Sequence, residues 1–373
     1  MRNTDVLQST GSPINSRPAP VHSQSAMDWL RANLFSDWKN SLLTLAVLSV
    51  LVVILPKIYE WGIANAVFSA DLKACQALDN SGACWGMIAE KFRLIFFGRY
   101  AYEEQWRPLA ATLLMLAALT ASCYRPFWNR WLLLVWPLVV LAFILLMRGG
   151  VFGLARVDSN LWGGFPLTLF LSVVGIALAF PLAVLVALGR RSRLTVIRVL
   201  CVFYIELIRG VPLITVLFMA SFLFPLFLPA GFGIDVLVRV QVGIILFAAA
   251  YLAEIIRGGM QAIPKGQYEA AAAIGLSYWQ TVRKVLLPQA LRKVVPPLVN
   301  TFISMFKDTS LVVIVSLYEL TGALRLALGD ANWRPFFMEG YLFIASAYFV
   351  CCYSMSRYSR WVEKYLSAGR ESY

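Results

Sequence analysis

The sequence predicts an all-α bundle of about eight membrane-spanning helices, on three observations. Of 373 residues, 60% are hydrophobic and only 14% are charged, and the mean hydropathy of +0.70 lies outside the range of soluble domains. Apolar stretches recur near 41–59, 108–124, 131–147, 166–189, 211–229, 237–256, 297–319 and 340–357, several of them matching the ~20 residues a spanning helix needs. Lys and Arg collect between alternate stretches, the bias of inward-facing loops.

Composition also excludes function classes. The formal net charge of +13 is accounted for by basic residues flanking apolar spans, so nucleic acid is not an expected partner. The one histidine, His22, lies in a polar Ser- and Pro-rich tail expected to be disordered. No Ser-His-Asp or Cys-His site, and no multi-histidine metal site, can then form within the spans. There is no GxxxxGK[ST] run, so any ATP that drives this chain would be bound elsewhere.

The N-terminal tail lacks the basic-then-apolar order of a cleaved leader, and the first span is expected to stay in the mature protein. In MDWLRANLFSDWKN at 27–40, Met27, Leu30, Leu34 and Trp38 share one helical face while Asp28, Arg31 and Lys39 lie elsewhere, as on an interfacial helix or the frayed start of the next span. The stretch 108–124 is short, with Arg107 and Tyr124 as flanking anchors. With both ends inside, Arg125 and Arg130, then Arg190, Arg191, Arg193, Arg198 and Arg209, then Arg257, Lys265, Arg283, Lys284, Arg292 and Lys293 face inward, followed by Arg357, Arg360, Lys364 and Arg370. The loop at 60–107 carries both signs. Within it Cys75 and Cys84 either bridge, as an oxidising compartment permits, or remain free thiols. Cys123, Cys201, Cys351 and Cys352 lie in or beside apolar segments and read as packing residues. Trp and Tyr flanking the spans read as interface anchors.

After the sixth stretch the pattern breaks into EAAAAIGLSYWQTVRKVLLP at 269–288. Pro264 and Gly266 interrupt the chain, Glu269 is expected in the first turn of an Ala-rich helix, and Gly275 closes that helix. Ser277 with Gln280 has the form of a capping box. Leu287-Pro288 is expected to end the second helix, and Pro296-Pro297 to start the seventh span. The small side chains of Ala270, Ala271, Ala272 and Ala273 suit close approach by another protein, while Arg283 and Lys284 would equally suit a hairpin lying on headgroups.

Glu269-Ala270-Ala271, Gly275, Leu287 and Pro288 at this spacing, with Val285 in place of the usual Ile, resemble the EAA loop of permease subunits of binding-protein-dependent ABC importers. GGFPLTLFLS at 163–172, IELIRGVPLI at 205–214, AYLAEIIRGGMQAIPKGQYEAA at 250–271 and FKDTSLV at 306–312 look like its polar amino acid branch. Many short members carry Gln where this chain has Val216. The three-span extension before residue 166 looks like that of the long permeases of general L-amino acid importers.

The resemblance implies a type I permease core at 166–361, preceded by a tail and interfacial helix at 1–40 and an extension at 41–165, and followed by a tail at 362–373. It implies coupling to an ATPase dimer through Gly266, Glu269, Ala270, Ala271, Gly275, Leu287 and Pro288. A second homologous permease, a periplasmic amino-acid-binding protein and an inner-membrane bilayer complete the partners. No cofactor belongs to this chain, ATP and Mg being held by the partner ATPase, so the chain is not an enzyme by itself.

Charge within a bilayer needs a reason. Lys307 and Asp308, with Thr309 and Ser310, read either as the gate and part of a polar pocket for a zwitterionic amino acid, or as a self-neutralising pair. Glu206 with Arg209, and Glu254 with Arg257, are spaced as local helix pairs. The rival function is an ion-coupled secondary transporter with Asp308 or Glu254 titrating.

Overall fold

The computed structural model describes residues 25–79, 81–229 and 233–368; His22, the Ser- and Pro-rich tail before residue 25 and Arg370 lie outside them. The chain divides into two compact units, Met1–Ala66 and Val67–Tyr373.

In the first unit, α1 (Ala26–Leu34) is a helix of its own. Ser25 caps it by accepting from the Met27 and Asp28 amides, at 3.2 and 3.4 Å. The Asp37 carboxylate caps α2 (Trp38–Tyr59) by accepting from the Asn40 amide at 2.8 Å, so the chain restarts rather than fraying into the span. A π turn at Glu60–Ala64 prolongs α2 into a 27-residue candidate span. None of its residues is buried within the protein, leaving its apolar sides for lipid or other helices.

The second unit starts with α3 (Leu72–Gln76) and α4 (Gly86–Phe97), joined by a disulfide between Cys75 and Cys84, whose Cα atoms lie 5.4 Å apart. Both cysteines are buried, and the Cys84 amide donates to the Glu339 carboxylate at 2.8 Å. α5 (Trp106–Cys123) and α6 (Leu132–Arg148) then form an antiparallel hairpin. At one end of it the Trp136 indole donates to Ser122 Oγ at 3.1 Å. At the other the fully buried Arg107 donates to the Leu146 and Ala155 carbonyls, both at 2.8 Å, and to Glu104 at 3.3 Å.

The centre of the bundle is the pair α7 (Gly164–Arg190) and α10 (Val236–Gln261). They run in the same direction, since Gly175 faces Gln241 and Ile244 while Arg190 meets Glu254. Ala179, Ala183 and Ala187 on α7 are fully buried, as are Ala248, Ala249, Ala250 and Ala253 on α10. Small residues at four-residue spacing let two backbones approach in a solvent that supplies no hydrophobic drive.

Between them the expectation of a straight span at 211–229 is corrected. α8 (Thr195–Arg209) and the segment Leu213–Phe227, which begins with α9 (Leu213–Phe218), form one apolar crossing bent by 105°. Pro212 has no N–H to continue a helix, and its ψ of 146° turns the chain away before α9 starts. The residues assigned from sequence to an inner loop thus supply half of this crossing. Beyond α10 come α11 (Lys265–Ala273), α12 (Tyr278–Thr281), α13 (Leu287–Lys293), α14 (Val295–Asp308), α15 (Leu320–Ala327) and α16 (Phe337–Ala368). α14 continues as a 3-10 turn to Val315. Among the described residues six helices are long and apolar enough to cross a bilayer, and the bent pair makes seven. The 17 residues of α6 are an eighth apolar segment at the short end of spanning length.

The start of α7 is locked to the chain after α14. Gly163 pairs with Tyr318 and Gly164 with Glu319, and Gly164 has φ +62° with its Cα against the Phe96 carbonyl, where a Cβ would overlap. Glu319 is fully buried. Its Oε1 accepts from the Thr321 and Gly322 amides, both at 2.9 Å, capping α15, and its Oε2 from Tyr348 at 2.8 Å and Thr168 at 3.3 Å. Burial still holds the carboxyl above its ordinary range, against the pull of these donors.

Two outcomes follow. Cys75→Ser should loosen the 67–86 segment by about 3 kcal/mol, the loop-closure entropy of so short a ring, read as faster proteolysis there with the spans protected. A raised carboxyl pKa gives stability that is complete below the unfolded value of about 4.3 and is lost as pH rises through the folded value. Wild type should therefore lose unfolding temperature relative to Glu319→Gln as pH rises above about 4.3; parallel curves would remove Glu319 as the cause.

Candidate functional site

Pro264 enters α11 with ψ 143°, and Gly266 falls in its first turn rather than breaking the chain. Glu269 sits one turn later than expected, exposed in the second turn, where the helix dipole has largely faded. Gly275 has φ +74°. Its amide donates to the Ala272 carbonyl at 2.9 Å and that of Leu276 to Ala271 at 3.1 Å, which closes α11 as a Schellman turn. The Ser277 and Gln280 side chains each accept from the other's backbone amide, at 3.4 and 2.9 Å.

Pro288 does not end the second helix. A π turn at Val282–Leu286 runs into α13, with Pro288 in its first turn, and the wider turn accommodates a residue that has no N–H to give. Val282, Leu286 and Ala290 are buried at four-residue spacing, which turns this helix toward α10, where Gly259 lies against the Ala290 carbonyl. The hairpin is further braced by Arg191, which donates to Tyr268 Oη at 3.0 Å, and by Gln289, which donates to Gln267 at 2.9 Å. Tyr268 in turn donates to the Met260 carbonyl at 3.2 Å.

Ala271 is buried, correcting the expectation that all four alanines form one open surface. The face left open carries Glu269, Ala270, Ala272, Ala273 and Gly275, together with Ile274 at 75% exposure and Trp279 at 67%. Leu287 is half-buried and Pro288 exposed.

Above the hairpin, the expected Glu206–Arg209 pair is replaced by a network around Glu254. Its carboxylate accepts from Arg190 at 2.9 Å and from Arg257 at 3.0 Å through Nε, with a second bond from Arg257 Nη2. Arg209 approaches it at 4.0 Å and lies 5.7 Å above the Tyr251 ring. Glu206 is bound instead by Arg190 at 3.2 Å, because α8 folds back beside the end of α7. Arg190 was missed from sequence, where it counted only as a loop charge.

Farther along α14 the structure separates the four residues of the expected gate. Asp308 lines a cavity of 310 Å³ with Phe247, Tyr251, Asn300, Thr301, Ser304 and Met305. Lys307 is exposed and does not line it, nor does Ser310. Thr309 is buried and donates its hydroxyl to the Phe306 carbonyl at 2.7 Å, so it offers no free donor to a solute. Asn300, Thr301 and Ser304 were not singled out from sequence, although with Asp308 they form a polar stripe at helical spacing. Among the described residues no cluster of His, Cys, Asp or Glu could hold a metal ion.

Replacing Glu254 with Gln should leave three arginines without their shared carboxylate. Breaking a buried pair costs 3–5 kcal/mol, and the 22% exposure of this carboxylate lowers the expectation to about 2 kcal/mol. Glu206→Gln, at a carboxylate 58% exposed, should cost under about 1 kcal/mol. Thermal unfolding in detergent gives the order; the reverse order would contradict a network centred on Glu254.

Residues 179–367 match the family of binding-protein-dependent transport system inner membrane components. The chain is 45% identical over 359 residues to the inner membrane amino-acid ABC transporter permease protein YhdY of Escherichia coli, covering 95% of this chain and 96% of that protein. It is 35% identical to the glutamate/glutamine/aspartate/asparagine transport system permease protein BztC of Rhodobacter capsulatus, covering 94% and 96%. A solved amino acid ABC transporter crystallised with histidines has a chain matching 54% of this one over 91% of its own length, at 30% identity and a TM-score of 0.49. Membership of a permease family does not favour the ion-coupled rival, and such a permease is not catalytic by itself. The chain belongs to the family of binding-protein-dependent transport system inner membrane components.

Proposed function

We propose that this chain is the permease subunit of an ATP-driven importer that carries L-amino acids across the inner membrane. It pairs with a second homologous permease, receives its cargo from a periplasmic binding protein, and rests on a cytoplasmic ATPase dimer that holds ATP and Mg. Both chain ends face the cytoplasm. The observation that carries this reading is the braced hairpin at 264–288, which exposes Ile274 and Trp279; aromatic side chains with small neighbours form energetic anchors at protein contacts.

Closure of the ATPases presses on the turn around Gly275. Its bracing through Tyr268, Gln267 and the buried face of the π turn at Val282–Leu286 and α13 passes that displacement to α10 and α14. Those helices line the cavity at Asp308, whose carboxylate receives the cargo's ammonium group while Asn300 and Ser304 offer donors to its carboxylate. Lys307 lies outside that cavity and serves the contact with the second permease. ATP hydrolysis resets the pair.

Gly275→Asp places a side chain where φ is positive, at a strain of about 1–2 kcal/mol, and adds a charge to the contact. Co-purification of the ATPase, and ATP-dependent uptake into liposomes, should fall by about tenfold or more. Trp279→Ala should weaken ATPase retention to a similar degree, by about 2 kcal/mol, with no change in unfolding temperature, since the side chain buries little within the chain. Normal retention in both variants would remove the hairpin from the contact. Uptake that persists without ATP and collapses with an ion gradient would instead restore the secondary-transport reading.

A further inference from the structure

At the end of the bundle opposite the hairpin, a groove of 370 Å³ opens between α6, the connection at 156–162, α7 and α10. Its floor is apolar, formed by Ile144, Leu178, Val242 and Ile245, and its rim carries Arg148, Arg156, Asp158 and Asp235. The charges are confined to the end near the helix termini. Along α10 the groove runs from Asp235 to Ile245, about 15 Å of helix, or half of a hydrocarbon core of about 30 Å. Leu178 and Val242 are 52% and 48% exposed, so its side is open to the bilayer.

Two side chains on the groove are incomplete. Trp162 and Gln241 are both more than nine-tenths buried, and both line it. Among the described residues Trp162 Nε1 has no acceptor and Gln241 Oε1 has no donor, while the Gln241 amide nitrogen donates to the Leu171 carbonyl at 3.3 Å. Orphaned polar atoms at this depth carry a desolvation penalty that an occupant can relieve.

We propose that the groove is a binding site for one zwitterionic aminophospholipid of the leaflet at this end. One acyl chain lies along Leu178, Val242 and Ile245. An ester carbonyl accepts from Trp162 Nε1, and Gln241 Oε1 receives a donor from the ammonium group or from a water held with it. Arg148, which forms no ion pair among the described residues, takes the phosphate together with Arg156, whose only carboxylate partner there, Asp158, lies 3.6 Å away. Asp158 and Asp235 face the ammonium group. A purely anionic headgroup would leave both aspartates opposite negative charge. A free amino acid would leave a leaflet-deep apolar floor bare. The site is independent of the cargo and of the hairpin, and would tie the α5–α6 extension to the core through lipid.

The test uses the full chain in nanodiscs of mixed phosphatidylethanolamine and phosphatidylglycerol, with a trace of phosphatidylethanolamine bearing a photoreactive acyl chain. Labelling should concentrate on peptides containing Leu178 and Val242, at least about tenfold above that on α2, which is exposed along its length. Val242→Trp, which fills the floor, should reduce it by about tenfold. Arg148→Ala, at an exposed position with no ion pair among the described residues, should reduce it several-fold with the unfolding temperature unchanged. Even labelling of all exposed spans, or labelling unchanged in both variants, would overturn the site. Equal labelling by a phosphatidylglycerol probe would overturn the headgroup assignment, and loss of label with excess free L-amino acid would make the groove a solute site.

Discussion

Hydrocarbon offers no partner to a backbone N–H or C=O, and every departure from helix in this protein is shaped by that constraint. The bent crossing at 195–227 breaks at Gly210–Pro212, where one residue has no amide to leave unpaired. The segment after α14 gives up its helix only where Glu319 supplies acceptors for the amides of Thr321 and Gly322. The hairpin follows the same rule near the opposite end. Schellman bonds, a capping box and a π turn satisfy its amides and carbonyls in place, so the chain can leave the bundle and return without unpaired backbone.

Charge is distributed by the same economy of solvation. Around Glu254, three arginines and a second glutamate meet near a helix end where solvent still reaches, and the network is held by several partly exposed contacts. Glu319 is the opposite case, a single carboxyl fully enclosed by four donors and without an ion pair among the described residues. The first kind of arrangement can exchange partners as helices shift; the second ties down whatever it touches.

The spans were legible in the sequence because apolar length is a one-dimensional signal. So were the turn at Gly275 and the capping box at Ser277, since each depends on residues within one helical turn. The bend at 210–212 was written in the same local chemistry, but the apolar face of α8 was overshadowed by its arginines. Where the sequence misled, the cause was tertiary. Arg190 reads as a loop charge until α8 folds back to bring Glu206 and Glu254 to it. Ala271 is indistinguishable from its neighbours until one face of α11 is packed. Arg107 looks like a flanking anchor, yet α6 and the following connection enclose it completely.

The short pairing of Gly163–Gly164 with Tyr318–Glu319 has a mechanical consequence. α7 and the end of the α14 segment are fastened together there by backbone pairing and by a side chain that has no room to move, so that end acts as a pivot. α7 extends from it for 27 residues, about 40 Å, and each degree of tilt displaces the far end by about 0.7 Å. A tilt about the fastened end would therefore move α7 least there and most beside the hairpin, the two arms of a pair of tongs rather than sliding rods.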